Sequence, residues 1–227
     1  MYLNVIKRII DTLLAVIMLL ILSPLFFLIA ILIKIDSGSP IIFKQKRIGK
    51  DGKKYYMYKF RTMIQNAQNI GTGVYSFSGD PRITKIGSVL RKTSLDELPQ
   101  LWNIIKGEMA FVGPRSPVDG YFPEYSQLSD MYKKRFSVLP GITGLAQCVG
   151  RNELSWDEKV KYDNLYIEKI KKYGIFYDIK IWFMTIRRVL LMRNVEESEE
   201  NMKKNQEILK KMNMAEKEKK NEIPSGK

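Results

Sequence analysis

The chain has 227 residues, with 38 Lys and Arg against 24 Asp and Glu, one cysteine and no histidine. Its formal net charge of +14 points to anionic partners: nucleic acid, anionic lipid, or nucleotide and phosphate ligands. One cysteine excludes an intrachain disulfide. Without histidine the usual proton shuttle is missing and zinc has almost no ligands, so any chemistry falls to carboxylates, lysines, arginines, tyrosines or a hard cation held by oxygen.

From Ile9 to Ile33 the sequence is apolar, broken only by Asp11, Thr12, Ser23 and Pro24. A helix needs about 20 apolar residues to cross the hydrocarbon of a bilayer, so this run is long enough to span. A straight span and a helix that enters and returns on the same side compete. Lys7 and Arg8 precede the run, and Lys34, Lys44, Lys46 and Arg47 follow it, which pulls both ends toward the cytoplasm. Ser23-Pro24 supplies a break near the middle: proline has no N–H, and the serine hydroxyl is placed to satisfy the carbonyl this frees. A merely kinked spanning helix is the alternative.

Asp36 to Pro40 reads as a turn. Ile41-Ile42-Phe43 and Tyr55 to Phe60 read as short strands around the turn Gly49 to Gly52. Residues 64–80 suggest a loop with a short helix. Lys85 to Arg91 and Gln100 to Lys106 are expected as short helices, Tyr121 to Phe136 as a helix, and Leu139 to Gly144 as a tight loop leading to a strand at Leu145 to Val149. Trp156 to Lys172 reads as a charged helix. Ile175 to Met192, apolar with Lys180, Arg187 and Arg188 inserted, suits an amphipathic helix in the membrane interface or a core helix. The tail after Val195 is strongly charged but carries eight Glu and eight Lys, so the basic excess lies before it. It is expected to be a solvated helix or disordered. Cys148 reads as a small core residue.

The chemistry concentrates at Ser94-Leu95-Asp96-Glu97-Leu98-Pro99-Gln100. Pro99 fits the first turn of a helix, which puts the acid pair at or just before a helix N-terminus, where the dipole favours ionised carboxylates and phosphate. Ser94 and Glu97 form a capping box in the alternative reading, with Pro99 then awkwardly inside the helix. Neighbouring helical residues point about 100° apart, so the two acids need not share one job. Lys59, Arg61, Arg82, Arg91, Arg115 and Arg151 lie in or beside turns, and arginine forks match phosphate oxygens two at a time. Each of these alone is more often surface than site.

Taken together these residues resemble the bacterial sugar transferases, also called monotopic phosphoglycosyl transferases. The resemblance rests on the apolar run with Ser23-Pro24, Pro40 to Gly49, Lys59-Phe60-Arg61-Thr62-Met63, Asp80-Pro81-Arg82-Ile83-Thr84, Arg91 to Gln100, Val112-Gly113-Pro114-Arg115 and Pro140-Gly141-Ile142-Thr143-Gly144. It covers about residues 1–193 in the family's order. Ser116 stands where the family usually has proline, and Cys148-Val149 replaces the usual Val-Asn before Gly150-Arg151-Asn152.

The resemblance implies a mostly helical α+β fold: a re-entrant membrane helix-break-helix over residues 1–36, a membrane-associated catalytic domain with a small β element and interfacial amphipathic helices over 37–195, and a charged tail over 196–227. It implies transfer of a sugar phosphate from a UDP-sugar to polyprenyl (undecaprenyl) phosphate at the cytoplasmic face of the bacterial inner membrane. The products are a polyprenyl-diphosphate sugar and UMP, and the reaction is the first membrane step of surface polysaccharide or glycoconjugate synthesis. By analogy Asp96 is the nucleophile that forms an aspartyl-phosphosugar intermediate, and Glu97 binds Mg²⁺. Membrane lipid is an implied partner, and no aromatic-basic nucleic-acid motif is evident. Nothing in the motifs names the sugar or an oligomeric state. A membrane-bound hydrolase of nucleotide sugars or polyprenyl phosphates is the competing enzymatic reading, and a non-catalytic basic anchor is the competing non-enzymatic one.

Overall fold

Residues Lys7–Ser37 form one 31-residue helix, α1, in the computed structural model, which describes residues 2–73, 76–77, 79–120, 122–150, 153–190 and 199–221. By length and composition α1 is able to cross a membrane. Helical geometry runs unbroken through Ser23 and Pro24, so the expected helix-break-helix appears here as a single continuous helix. The reason is local. Pro24 cannot donate to the Leu20 carbonyl, and the Ser23 hydroxyl donates to that carbonyl instead, at 2.8 Å.

Both halves of α1 pack on the same globular body. Arg8 donates to the carbonyls of Ile104 and of Ile105 (2.8 Å), and Ala15 joins a core with Leu101, Ile104 and Ile167. Farther along, Ile29 and Ile33 pack against Phe60 and Leu90, and the rings of Phe26 and Phe60 lie 5.3 Å apart. Other faces of α1 leave Leu20, Ile21, Phe27 and Ile35 exposed.

The hairpin is longer than the sequence suggested. β1 (Ile42–Ile48) and β2 (Lys54–Phe60) pair antiparallel, Ile42 opposite Phe60 and Ile48 opposite Lys54. The helix α2 (Lys85–Thr93) follows, capped by the Thr84 side chain, which accepts from the Gly87 N–H. Gly87 is required there: a Cβ would lie 2.1 Å from the Thr62 carbonyl oxygen. Next come α3 (Gln100–Lys106) and β3 (Ala110–Val112). Residues 121–136 are not one helix. Among the described residues only α4 (Asp130–Lys134) is α-helical there, flanked by short 3₁₀ turns at Tyr125–Gln127 and Arg135–Ser137.

A second sheet is parallel: β3 pairs with β4 (Gly141–Thr143), Ala110 opposite Gly141. The expected strand at 145–149 is instead the helix α5 (Leu145–Val149). A five-residue stretch is too short for periodicity to distinguish strand from buried helix, and the strand falls just before it. α6 (Trp156–Tyr173) starts with a capping box between Ser155 and Glu158. α7 (Ile175–Leu190) turns back against it, and the tail forms α8 (Glu199–Asn221). Along α7, Phe176, Ile179, Phe183 and Ile186 are exposed in one stripe at helical spacing. On its covered side Asp178 accepts from Tyr2 (2.7 Å), Tyr166 (2.8 Å) and Lys7, fastening the start of α1 to the two long helices.

Candidate active site

The acid pair lies on a 3₁₀ turn, Leu95–Glu97, between α2 and α3. Ser94 ends α2 with φ at 58°, a left-handed conformation uncommon for a residue with a Cβ, and so reverses the chain. Pro99 is the residue just before α3, which places the acids immediately ahead of that helix. The capping-box alternative is not realised, since the Ser94 side chain makes no cap hydrogen bond and Glu97 is engaged elsewhere.

Lys59, near the end of β2, donates to Glu97 Oε1 at 2.7 Å and lies 3.6 Å from Asp96 Oδ2. Arg115 reaches Glu97 from the loop after β3, with Nη2 2.7 Å from Oε1 and Nη1 3.4 Å from Oε2. The loop is pinned on both sides. Arg135 Nη2 donates to the Arg115 carbonyl (2.7 Å), and Arg47 Nη1 donates to the Ser116 carbonyl (2.5 Å). The buried Asn103 fixes α3 to β2 by donating to the Tyr56 carbonyl (2.7 Å) and accepting from the Tyr58 N–H (3.0 Å). Strand, turn and loop therefore converge on one carboxylate.

The two acids are buried, yet their ionisation is pushed in opposite directions. For Glu97, burial works against charge, but Arg115 and Lys59 overcome it and hold the carboxyl well below its usual range. For Asp96, burial dominates over the pull of Lys59, and the charge of Glu97 adds to it, so the carboxyl is raised. Burial also lowers the ammonium of Lys59, against the pull of Glu97. Charge is therefore favoured on Glu97 and disfavoured on its neighbour Asp96.

Asp96, Glu97, Lys59 and Arg115 face a cavity of about 820 Å³, which Arg61 and Arg91 also line. Arg91 is held by Thr62 (2.9 Å) and Ser76 (2.6 Å). Arg61 caps the end of α1, with Nη2 donating to the carbonyls of Ser37 (2.6 Å) and Gly38 (2.7 Å). Arg82 does not face the cavity. It pairs with Asp80 at 2.6 Å and donates to the carbonyls of Ala67, Ile70 and Gly73, so it organises the loop that forms one wall. Arg151 lies outside the described residues. Ser23 and Pro24 are in α1, outside the cavity lining.

Arg47, Arg135, Gln147, Trp156 and Asp163 also line the cavity and were not singled out from sequence. Arg47 had a signal, as one of the basic residues around the hairpin. The others sit on separate helices and loops without a motif of their own. Among the described residues no cluster of three or more carboxylate, cysteine or histidine side chains is present. The acid pair nonetheless fits a Mg²⁺ held by one or two carboxylates and completed by substrate phosphate oxygens and water. Glu97 Oε1 is taken up by both cations, while Oε2 has only the 3.4 Å contact.

The sequence matches the bacterial sugar transferase family over residues 2–192. An uncharacterized sugar transferase, EpsL, of Bacillus subtilis is 37% identical over 194 residues, which cover 86% of this chain and 92% of that protein. A UDP-glucose:undecaprenyl-phosphate glucose-1-phosphate transferase of Escherichia coli is 42% identical across 81% of this chain, which spans 40% of that longer protein. A UDP-N-acetylgalactosamine-undecaprenyl-phosphate N-acetylgalactosaminephosphotransferase of Aeromonas hydrophila is 39% identical over 82% of this chain and 44% of its own length.

The electrostatics predict a separable titration. With ¹³C-labelled aspartate and glutamate, Asp96 is expected to titrate above the ordinary aspartate value of about 3.9 and Glu97 below the ordinary glutamate value of about 4.3. Lys59→Met removes a cation from Asp96 and shifts its titration further up. Glu97 taking up its proton before Asp96 as pH falls contradicts this arrangement.

Proposed function

This chain is a transferase of the bacterial sugar transferase family, and we propose that it moves a sugar phosphate from a UDP-sugar to undecaprenyl phosphate or a similar polyprenyl phosphate. The printed activities of the Escherichia coli and Aeromonas relatives support this substrate class. The observation that carries the reading is the buried acid pair beside Lys59 and Arg115, with both cations on Glu97 and Asp96 facing the cavity.

In the first half-reaction an Asp96 carboxylate oxygen attacks the β-phosphorus of the UDP-sugar. The bond from that phosphorus to the bridging oxygen breaks, and UMP leaves with the electron pair. In the second, a phosphate oxygen of the polyprenyl phosphate attacks the same phosphorus, and the bond to Asp96 breaks to return the carboxylate. A carboxylate nucleophile requires no general base, which suits a chain without histidine. Lys59 and Arg115 neutralise charge on the transferring group and orient it toward Asp96. Glu97 would hold Mg²⁺, which when bound would supply further neutralisation of the phosphate charge.

The acceptor's phosphate lies at a membrane surface, so the site must as well. We infer that both ends of α1 stay at the cytoplasmic face of the bilayer. Packing of both halves of α1 on one globular body supports this, because a helix of 31 residues is about 46 Å long and a straight span would carry one end across roughly 30 Å of hydrocarbon. The exposed stripe on α7 suits an interfacial position beside it.

With a UDP-sugar, polyprenyl phosphate and Mg²⁺, the wild type is expected to yield UMP and a lipid-linked sugar, and Asp96→Asn to lose about 10³-fold or more of that rate. Full activity in Asp96→Asn, or free sugar phosphate as product, contradicts the proposal. In a Cys148→Ala background, Val5→Cys and Lys53→Cys are both expected to react with an impermeant maleimide in inverted vesicles and to be protected in spheroplasts. Labelling from opposite faces overturns the re-entrant path.

A further inference from the structure

The cavity that holds the acid pair has two unlike walls. One, formed by residues 62–68 with Gly73 and Ser76, is fastened to the end of α1. Arg61 donates to Ser37 and Gly38, and Gln65 donates to the Ser39 carbonyl. The other is built from Arg135, Gln147, Trp156 and Asp163 and includes Leu209 from α8. This second wall carries most of the buried lining atoms that the protein does not satisfy, the others being Nε and Nη1 of Arg61 on the first. The side-chain oxygen and nitrogen of Gln147 are buried and form no hydrogen bond, and the same holds for Nε and Nη1 of Arg135. Asp163 Oδ2 lies 2.9 Å from Arg135 Nη2 as an ion pair but is not aligned as a hydrogen-bond acceptor.

Buried polar groups without partners are rare, because each one costs about 1–3 kcal/mol. Several on one cavity wall point to a ligand that supplies the partners. We propose that Arg135, Gln147 and Asp163 form the sugar subsite of the donor site, hydrogen-bonding the hydroxyl or acylamino groups of the hexose.

The inference rests on the transferase reading above. The residue types agree with a sugar: a phosphate asks only for donors, whereas this wall offers arginine and amide N–H donors together with carboxylate and amide acceptors. Burial also pushes the Asp163 carboxyl up to about 6, against the pull of Arg135. The reaction order agrees as well. UMP leaves and a lipid phosphate arrives at the same face of the phosphorus, so that face must open toward the membrane, on the side fastened to α1. The sugar stays attached through both half-reactions and belongs on the enclosed wall.

α8 closes that wall. Leu209 packs with Ile48, Phe122 and Val160, and Asn205 Oδ1 accepts from the Trp156 N–H at 2.9 Å. The helix lies beyond residues 2–192, which the family match covers.

Equilibrium binding of a panel of UDP-hexoses and of UMP to the full-length protein in nanodiscs tests the assignment, with Gln147→Ala, Asp163→Asn and Leu209→Ala compared with wild type. Gln147→Ala and Asp163→Asn are expected to weaken UDP-sugar binding by roughly tenfold, to alter the preference among hexoses, and to leave UMP binding unchanged. Leu209→Ala is expected to change the hexose preference alone. If UMP binding weakens in parallel, the wall reads the nucleotide and the assignment is overturned. Unchanged binding of every ligand in the folded Gln147→Ala variant overturns it too, even should Asp163→Asn fail to fold. Binding is read without turnover, so a chain that binds UDP-sugars through this wall but does not transfer would sink the reaction and not the subsite.

Discussion

Glu97 is the point on which the site closes. Two adjacent buried carboxylates repel each other and lose hydration together, so an unassisted pair would take up protons. Lys59 and Arg115 prevent this at Glu97, both within 2.7 Å of Oε1, and the pairing assigns the two acids different states. The rest of the local architecture serves that convergence. The left-handed Ser94 aims the turn, Asn103 registers α3 on β2, and Arg47 and Arg135 hold the backbone from which Arg115 extends. Moving any of these elements would separate a buried charge from its partner, which is far more costly than losing a surface ion pair.

The same strand connects chemistry to depth. Lys59 and Arg61 are two residues apart on and just beyond β2. Lys59 reaches the acids, while Arg61 caps the carbonyls at the end of α1. At the other end, Arg8 caps carbonyls at the end of α3, the helix that follows the acid turn. The apolar helix is therefore attached to the site at both of its ends. The exposed side chains of α1 and α7 supply apolar surface that a soluble monomer would rarely leave open.

The parts of this account legible in the sequence were those whose chemistry is local. The acid pair ahead of Pro99, the hairpin around Gly49 to Gly52, the serine that answers Pro24 and the buried Cys148 follow from neighbouring residues, and the structure agrees with each. The errors have equally local causes. Leu145 to Val149 is too short to reveal its period, and it forms a helix. Tyr121 to Phe136 has helix formers, but its aromatic residues pack into a cluster of tilted rings around Phe122 and Phe136 that a single helix could not present. Arg82 lies in a turn and is paired with Asp80 two residues earlier. The wall of Arg135, Gln147 and Asp163 was invisible because three distant elements assemble it. The docking of α8 depends on a few apolar residues, Met202 and Leu209 among them, within a strongly charged segment.

In the proposed mechanism Asp96 bears the phosphosugar between two separate encounters, with donor and then with lipid. Intact-mass and peptide-level mass spectrometry of wild-type protein, quenched after mixing with UDP-sugar alone, tests it most directly. The expected result is a mass increase equal to one sugar phosphate on the peptide that contains Asp96, discharged when polyprenyl phosphate is added. Unmodified protein under those conditions, together with kinetics that require donor and acceptor bound at once, would contradict it.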